Sequence, residues 1–164
     1  MKKLVTIAAI ALLSLGASQA WALRIATIDV KKAFDAYTGT QSAKDKLKKQ
    51  VDEEKEKLEN ERDAIKKELS DLQAKKSVLT ESKYKEQEQK IVAKVSTVQE
   101  KIQTTTADLQ AQEAKLTNQI VDLIKEAAQK VAKKEKFDFV LESSNVLFGG
   151  EEITSSVIKE LNSK

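Results

Sequence analysis

The sequence predicts an α+β fold that is mostly α, with a small β-rich body and a long antiparallel, coiled-coil-like helical hairpin arm. Three observations lead to this prediction. Between Gly39 and Gly149 the chain has no glycine, and it has no proline anywhere, so nearly all of this stretch is expected to be helical. Short apolar stretches at 23–30 and 137–148 flank this middle part and have the character of half-buried strands. The middle repeats apolar residues every seven positions, which indicates a helix packed along a partner helix.

Residues 1–22 have the pattern of a secretory signal peptide. Lys2 and Lys3 precede an apolar run at 4–15, and Ala20-Trp21-Ala22 supplies a small-x-small site for cleavage after Ala22. The alternative, an uncleaved membrane anchor, is disfavoured because the run is shorter than the ~20 residues that span a bilayer. The mature chain would be 23–164. Without the two signal lysines it has 27 basic residues against 26 acidic ones, so it is close to neutral.

The first elements of the mature chain are a strand and a short helix. Large apolar residues alternate with small or polar ones from Leu23 to Asp29, which is typical of a strand with one buried face. Asp29 is a suitable N-cap for a helix from Val30 to about Tyr37. Thr38-Gly39-Thr40 is expected to break that helix, and the long helical pattern is expected from Gln41.

The long helical region, 41–129, reads as two antiparallel arms with a tip near 80–83. One apolar row has period seven on each side of this break: Val51, Leu58, Ile65, Leu72 and Leu79 before it, and Val95, Ile102, Leu109, Leu116 and Leu123 after it. A shorter row after the break comprises Tyr84, Ile91 and Val98. Pairs such as Leu72/Ile91 and Ile65/Val98 are symmetric about the break, which favours a hairpin over one continuous rod. The second seam position of the first arm falls at Leu47, Glu54, Glu61, Glu68 or Lys75, of which four are charged, so the apolar seam is thin.

The chain is expected to return to the body near residue 130, where the apolar stripe of the second arm widens. Phe137–Glu142 is then predicted as a strand, Ser143-Ser144 as a turn, and Asn145–Phe148 as another strand. Gly149-Gly150 is expected to turn the chain again, and Thr154 to cap a final helix. The body thus comprises 23–40 and 130–164. A unit so small, with open strand edges, points to oligomerisation. The apolar residues expected at that interface are Ile25, Ile28, Phe137, Phe139, Leu141, Val146 and Phe148.

The sequence contains no pattern of a catalytic, cofactor or metal site. It has no histidine and no cysteine, the usual general base, thiol nucleophile and metal ligands of proteins. It also lacks the GxxxxGK[ST] loop that binds nucleotide phosphates. The many carboxylates alternate with lysines along helices, as on a solvated face. No enzyme activity, cofactor or metal is therefore predicted.

A basic cluster marks the predicted tip of the arm. Within 75–85, four lysines face one acid, Glu81: Lys75, Lys76, Lys83 and Lys85. One interpretation is that they only keep the arm soluble. Another is that they attract acidic client proteins or contact an anionic membrane surface, both of which salt would screen. Nucleic acid is not an expected partner, because the chain carries an export signal and lacks interleaved aromatic residues.

Four segments at the two ends resemble the Skp/OmpH family of periplasmic chaperones of Gram-negative bacteria. They are Ile25-Ala26-Thr27-Ile28-Asp29-Val30 with Ala33-Phe34, the stretch 132–142 (AKKEKFDFVLE), Asn145-Val146-Leu147-Phe148, and the stretch 153–161 (ITSSVIKEL). The central helices are similar to that family in length and periodicity. The family's better-known members are markedly basic, whereas this mature chain is near neutral.

The resemblance implies a homotrimer in the periplasm whose arms enclose a cavity. It also implies an ATP-independent holdase that binds unfolded outer-membrane β-barrel proteins and prevents their aggregation on the way to the outer membrane. The alternative function is a periplasmic coiled-coil structural spacer or adaptor, which would have stiff arms and a tight partner at the tip.

Overall fold

The structure is a computed structural model that describes residues 22–163, so the predicted signal peptide, apart from Ala22, lies outside the described residues. Its elements run in the order β1 (Ile25–Ile28), α1 (Val30–Ala36), α2 (Thr38–Ala74), α3 (Glu81–Glu135), β2 (Phe139–Glu142), a 3-10 turn (Ser143–Asn145), β3 (Glu151–Glu152) and α4 (Thr154–Leu161). The predicted class, mostly α with a small sheet, is confirmed.

The sheet has three parallel strands in the order β2-β1-β3. Parallel pairing of β1 with β2 requires a crossover between them, and the whole helical hairpin forms it. Phe139 lies opposite Ile25, and Leu141 lies opposite Thr27.

The prediction of a strand at Asn145–Phe148 was wrong, since these residues lie in the β2–β3 connection. The chain rejoins the sheet only after Gly149 and Gly150, whose φ angles are 89° and 90°. Such angles suit glycine. At Gly150 a Cβ atom would also come within 2.7 Å of Thr27 Cγ2, so glycine lets β3 approach β1 closely.

The core lies between β1, the end of α3 and α4. Its buried residues are Ala26, Ile28, Ala33, Ile120, Ile124, Ala127, Ala128, Val131, Ile153, Val157 and Leu161. The predicted widening of the apolar stripe is the part of α3 that contributes Ile120 to Val131. Alanines occupy several of these sites and allow the helices to approach one another closely.

Two of the three expected helix boundaries in the body need correction. Asp29 caps α1 as predicted, because its carboxylate accepts a hydrogen bond from Lys32 N at 2.8 Å. The expected break at 38–40 is narrower, since only Tyr37 leaves helical geometry and α2 already begins at Thr38. Thr154 does not cap α4. Its hydroxyl accepts from Asp29 N at 2.9 Å and so ties α4 to the end of β1.

The hairpin is antiparallel, and its helices are 37 residues (α2) and 55 residues (α3) long. At about 1.5 Å per residue, α2 extends roughly 55 Å. The connection between the helices is 75–80, so Glu81–Lys83, predicted as part of the tip, already belong to α3. Thr80 is the N-cap of α3 and accepts from Lys83 N.

Candidate functional site

The four lysines predicted to mark the tip lie together and are exposed. Lys75 is the C-cap of α2, Lys76 lies in the turn, and Lys83 and Lys85 begin α3. The N-terminus of α3 adds the positive end of a helix dipole to their charge. Lys90 lies 2.6 Å from the Glu86 carboxylate, and this hydrogen bond lowers the pKa of Glu86, so that acid stays ionised and offsets part of the basic charge.

The tip also has an apolar surface that the sequence reasoning did not single out. Val78, in the turn, is exposed, and the ammonium of Lys76 lies 5.8 Å from the centroid of the Tyr84 ring. The tip therefore presents apolar and aromatic surface among cations. Val78 could have been noticed as the one apolar residue of the lysine cluster that falls outside the heptad row.

The seam of the arm is apolar only at intervals. Leu72 on α2, and Ile91 and Val98 on α3, are buried. Two of the charged seam positions of α2 pair with α3 instead: Lys94 Nζ lies 2.6 Å from both Glu68 carboxylate oxygens, and Lys101 pairs with Glu61. From the first pair to the second, the α2 partner moves seven residues back in the sequence, from Glu68 to Glu61. The α3 partner moves seven residues forward, from Lys94 to Lys101, as expected for antiparallel helices in a fixed register.

These ion pairs lie on one side of the seam and make its two sides different. The first side forms the bridged groove, of about 390 Å³, lined by Glu61, Ala64, Ile65, Glu68, Ala93, Lys94, Thr97 and Val98. The second forms the open groove, of about 480 Å³, lined by Arg62, Ile65, Lys66, Leu69, Val95, Val98, Gln99 and Ile102. Ile65 and Val98 belong to both grooves because they form the seam between them.

The two apolar rows predicted on the second arm have different environments. Ile91 and Val98 are buried in the seam, whereas Val95, the first residue of the longer row, is 39% exposed beside the open groove. Leu69 on α2 is exposed to the same extent. The offset between the two rows was the sequence signal for an apolar flank, but it was not interpreted as one.

The outer face of the sheet carries another exposed apolar surface. Because neighbouring residues of a strand point to opposite faces, Val140 packs against the core while Phe139 and Leu141 lie on the other face, beside Ile25. Phe139 is 55% exposed. Leu147 and Phe148, in the following connection, are fully exposed.

The seven predicted interface residues therefore differ in their environments. Phe139, Leu141 and Phe148 are exposed, and Ile25, Phe137 and Val146 are partly buried. Ile28 is buried in the chain's own core, so it is not available to a partner subunit. Leu23 and Leu147 are further exposed apolar residues of the body that the prediction did not include.

Arg24 holds the sheet to the end of α3. Its backbone N donates to the Asp138 carboxylate at 2.8 Å, and its guanidinium donates to Glu135 O and pairs with Glu151 at 3.2 Å. The guanidinium also lies 4.4 Å from the centroid of the Phe137 ring. Phe137 is therefore covered on two sides, since it also packs against the core as a partly buried residue.

Residues 22–163 contain no group of three or more acidic side chains placed to hold a metal ion. No helix among the described residues combines the length and apolar character needed to cross a bilayer.

Comparison with known proteins relates this fold to one family. A candidate outer membrane chaperone (OmpH-like) from Caulobacter crescentus CB15 has a similar structure, with a TM-score of 0.80 and 22% sequence identity, over 87% of this chain and 86% of that one. No curated protein matches the sequence. The sequence model described as outer membrane protein (OmpH-like) matches residues 24–161. This chain therefore belongs to the OmpH-like family.

Proposed function

We propose that this protein is an ATP-independent holdase chaperone of the periplasm. Its clients would be unfolded outer-membrane β-barrel proteins, which it would keep from aggregating during transit to the outer membrane. The observation that carries the proposal is the arm, a long helical hairpin that leaves Leu69, Val95 and Val78 exposed beside cations instead of burying them. Family membership supports the same conclusion.

The physical basis of holding would be many weak contacts. Exposed apolar side chains on the arm each offer a fraction of the area of a buried contact, and surface ion pairs contribute about 0–1 kcal/mol each. Such contacts retain an unfolded chain without fixing one pose. Release requires no nucleotide if the client gains more free energy by folding into the membrane, and the sequence has no phosphate-binding loop.

The working form would be a homotrimer that associates through the outer face of the sheet. Exposed apolar surface marks interaction sites, and here Phe139 and Leu141 on the sheet and Leu147 and Phe148 in the following connection are exposed. In this proposal, 23–40 and 130–164 form the trimerisation body and 41–129 the arm. The number three comes from the resemblance to the family. Three arms would then enclose the client in a cavity.

The basic tip would act in client capture. Lys75, Lys76, Lys83 and Lys85 would attract acidic segments of the client over a distance set by ionic strength. Transient contact with an anionic membrane surface is a second use of the same charges. No cofactor and no nucleic acid enters the proposed activity. In this proposal the signal peptide is cleaved after Ala22 and the mature chain works in the periplasm.

The test is dilution of a urea-unfolded outer-membrane β-barrel protein into buffer containing the purified mature chain without nucleotide. Light scattering should be suppressed at a near-stoichiometric amount of oligomer. An equal mass of a soluble, helical protein without exposed apolar residues serves as the control. Aggregation unchanged by a folded, oligomeric sample would reject the holdase.

The second candidate is a periplasmic structural spacer or adaptor. The two ion pairs that brace the arms, Glu68–Lys94 and Glu61–Lys101, favour it because they stiffen the hairpin. A spacer would bind one folded partner tightly at the tip and would not suppress aggregation, so the same scattering experiment separates the two functions.

A further inference from the structure

We propose that the client lies along the open groove of the arm, and that the bridged groove faces away from it. The occupant is a stretch of unfolded polypeptide in which acidic side chains flank apolar ones. This inference rests on the proposed holdase function and names the surface that performs it.

The first argument is apolar surface. Leu69 and Val95 lie on opposite walls of the open groove, one from each helix, with Ile102 further along it. Val92, exposed and one turn from Val95, continues the wall toward the tip. The bridged groove offers Ala64, Ala93 and Thr97 at the equivalent places. Larger apolar side chains bury more area against a client, so the open groove binds an apolar segment more strongly.

The second argument is charge. Arg62 and Lys66 line the open groove, no carboxylate lines it, and within the described residues neither cation forms an ion pair. Glu59 and Asp63 line a separate pocket together with these cations and do not line the open groove. A client carboxylate can therefore pair with Arg62 or Lys66 without displacing an existing partner.

The bridged groove has the opposite property. Its lysine, Lys94, is already held by both carboxylate oxygens of Glu68 at 2.6 Å. An acidic client group would have to compete with Glu68, and a basic one with Lys94, so either would first have to break an ion pair. This side of the arm is electrostatically satisfied, and its ion pairs brace the helices while the other side stays open.

The test uses site-directed photo-crosslinking, which suits a chain without cysteine. Gln99→Cys places a benzophenone label in the open groove, and Thr97→Cys places one in the bridged groove of the same helix; both positions are exposed. The probe is a urea-unfolded outer-membrane β-barrel protein diluted onto the labelled oligomer. Cross-linking to the client should be several-fold greater from position 99. Equal yields, or a higher yield from position 97, would overturn the inference.

A matched pair of charge variants gives an independent readout. Lys66→Gln removes a cation of the open groove, and Lys67→Gln removes its neighbour, which lies about 100° further round the helix. Both lysines are exposed. Lys66→Gln should weaken client binding roughly two- to five-fold, as expected for one exposed ion pair, and added salt should shrink the effect. Lys67→Gln should leave binding unchanged. Equal effects of the two variants would overturn the assignment of charge to the groove.

The outcomes distinguish this inference from the proposed function. If the unmodified chain captures the client but both labels react equally, the holdase function is retained and the assignment of the client to the open groove is rejected. If the unmodified chain does not capture the client at all, both the holdase function and the groove assignment are rejected. Cross-links from position 99 to another copy of this chain, equally strong with and without client, would assign the open groove to packing between arms and would overturn the inference.

Discussion

Replacing Phe139 with aspartate should dissociate the oligomer while leaving each chain folded. Phe139 lies on the outer face of β2 and is 55% exposed in the single chain. A phenylalanine buries about 150–250 Å², so a partner would cover roughly 100 Å² more. At about 25 cal/mol per Å² this contributes about 2.5 kcal/mol per subunit. In the proposed trimer three such contacts would contribute about 7.5 kcal/mol, so their loss would lower the association constant by roughly 10⁵-fold. Aspartate adds a desolvation cost to this loss.

The assay is the mass of the mature chain in solution at micromolar concentration, by sedimentation or light scattering, with far-UV circular dichroism to verify folding. Val92→Asp is the matched control, since Val92 is also exposed but belongs to the arm; its mass should stay that of the unmodified oligomer. Val140 is unsuitable for this test because it packs against the chain's own core. If Phe139→Asp and Leu147→Asp, both helical, kept the oligomeric mass, the outer face of the sheet would not be the interface.

Three further outcomes are expected. Ile91→Ala should destabilise the arm by about 2 kcal/mol, which is the lower end of the range for a buried isoleucine because the seam is thin. Hydrogen exchange should become faster in 66–98 but not in β1. Equally faster exchange in both regions would contradict an arm that opens separately from the body. Gly150→Ala should lower the melting temperature more than Gly149→Ala, since both have positive φ but only the former meets Thr27; equal losses would show that the overlap relaxes. A variant in which all four tip lysines are replaced by glutamine should capture client less well, mainly at low salt; the replaced residues are Lys75, Lys76, Lys83 and Lys85. Equal weakening at all salt concentrations would reject long-range electrostatic attraction by the tip.

The arm was predictable because its pattern is long and local. Leu72 and Ile91 lie symmetrically about the break in the sequence, and both are buried in the seam. A long helix repeats its apolar pattern many times, so the period of seven remained recognisable although several seam positions are charged. The turn itself was displaced: Thr80 was read as the start of the break, but its hydroxyl instead caps α3.

The body was less predictable because its apolar residues serve two different surfaces. The pattern at Asn145–Phe148 predicted a strand, yet these residues lie in a connection, where Leu147 and Phe148 are fully exposed. Ile28, expected at an interface, is in the core. Hydrophobicity reports that a residue avoids water, and it does not report whether the covering atoms come from the same chain or from a partner. The strand Glu151–Glu152 has only two residues, so it carries almost no periodic pattern. Gly149 and Gly150, which precede it, allow it to approach β1.

The difference between the two sides of the arm was beyond the sequence for a related reason. Glu61 and Glu68 looked like defects in an apolar seam. Their lysine partners on α3, Lys101 and Lys94, are 40 and 26 residues away in the chain, so no local pattern links them. Both pairs lie on one side of the seam. On the other side, Arg62 and Lys66 line a groove that contains no carboxylate. Two charged seam positions, Glu61 and Glu68, thus make the two sides of the hairpin different: ion pairs brace one side, and the other is an open groove.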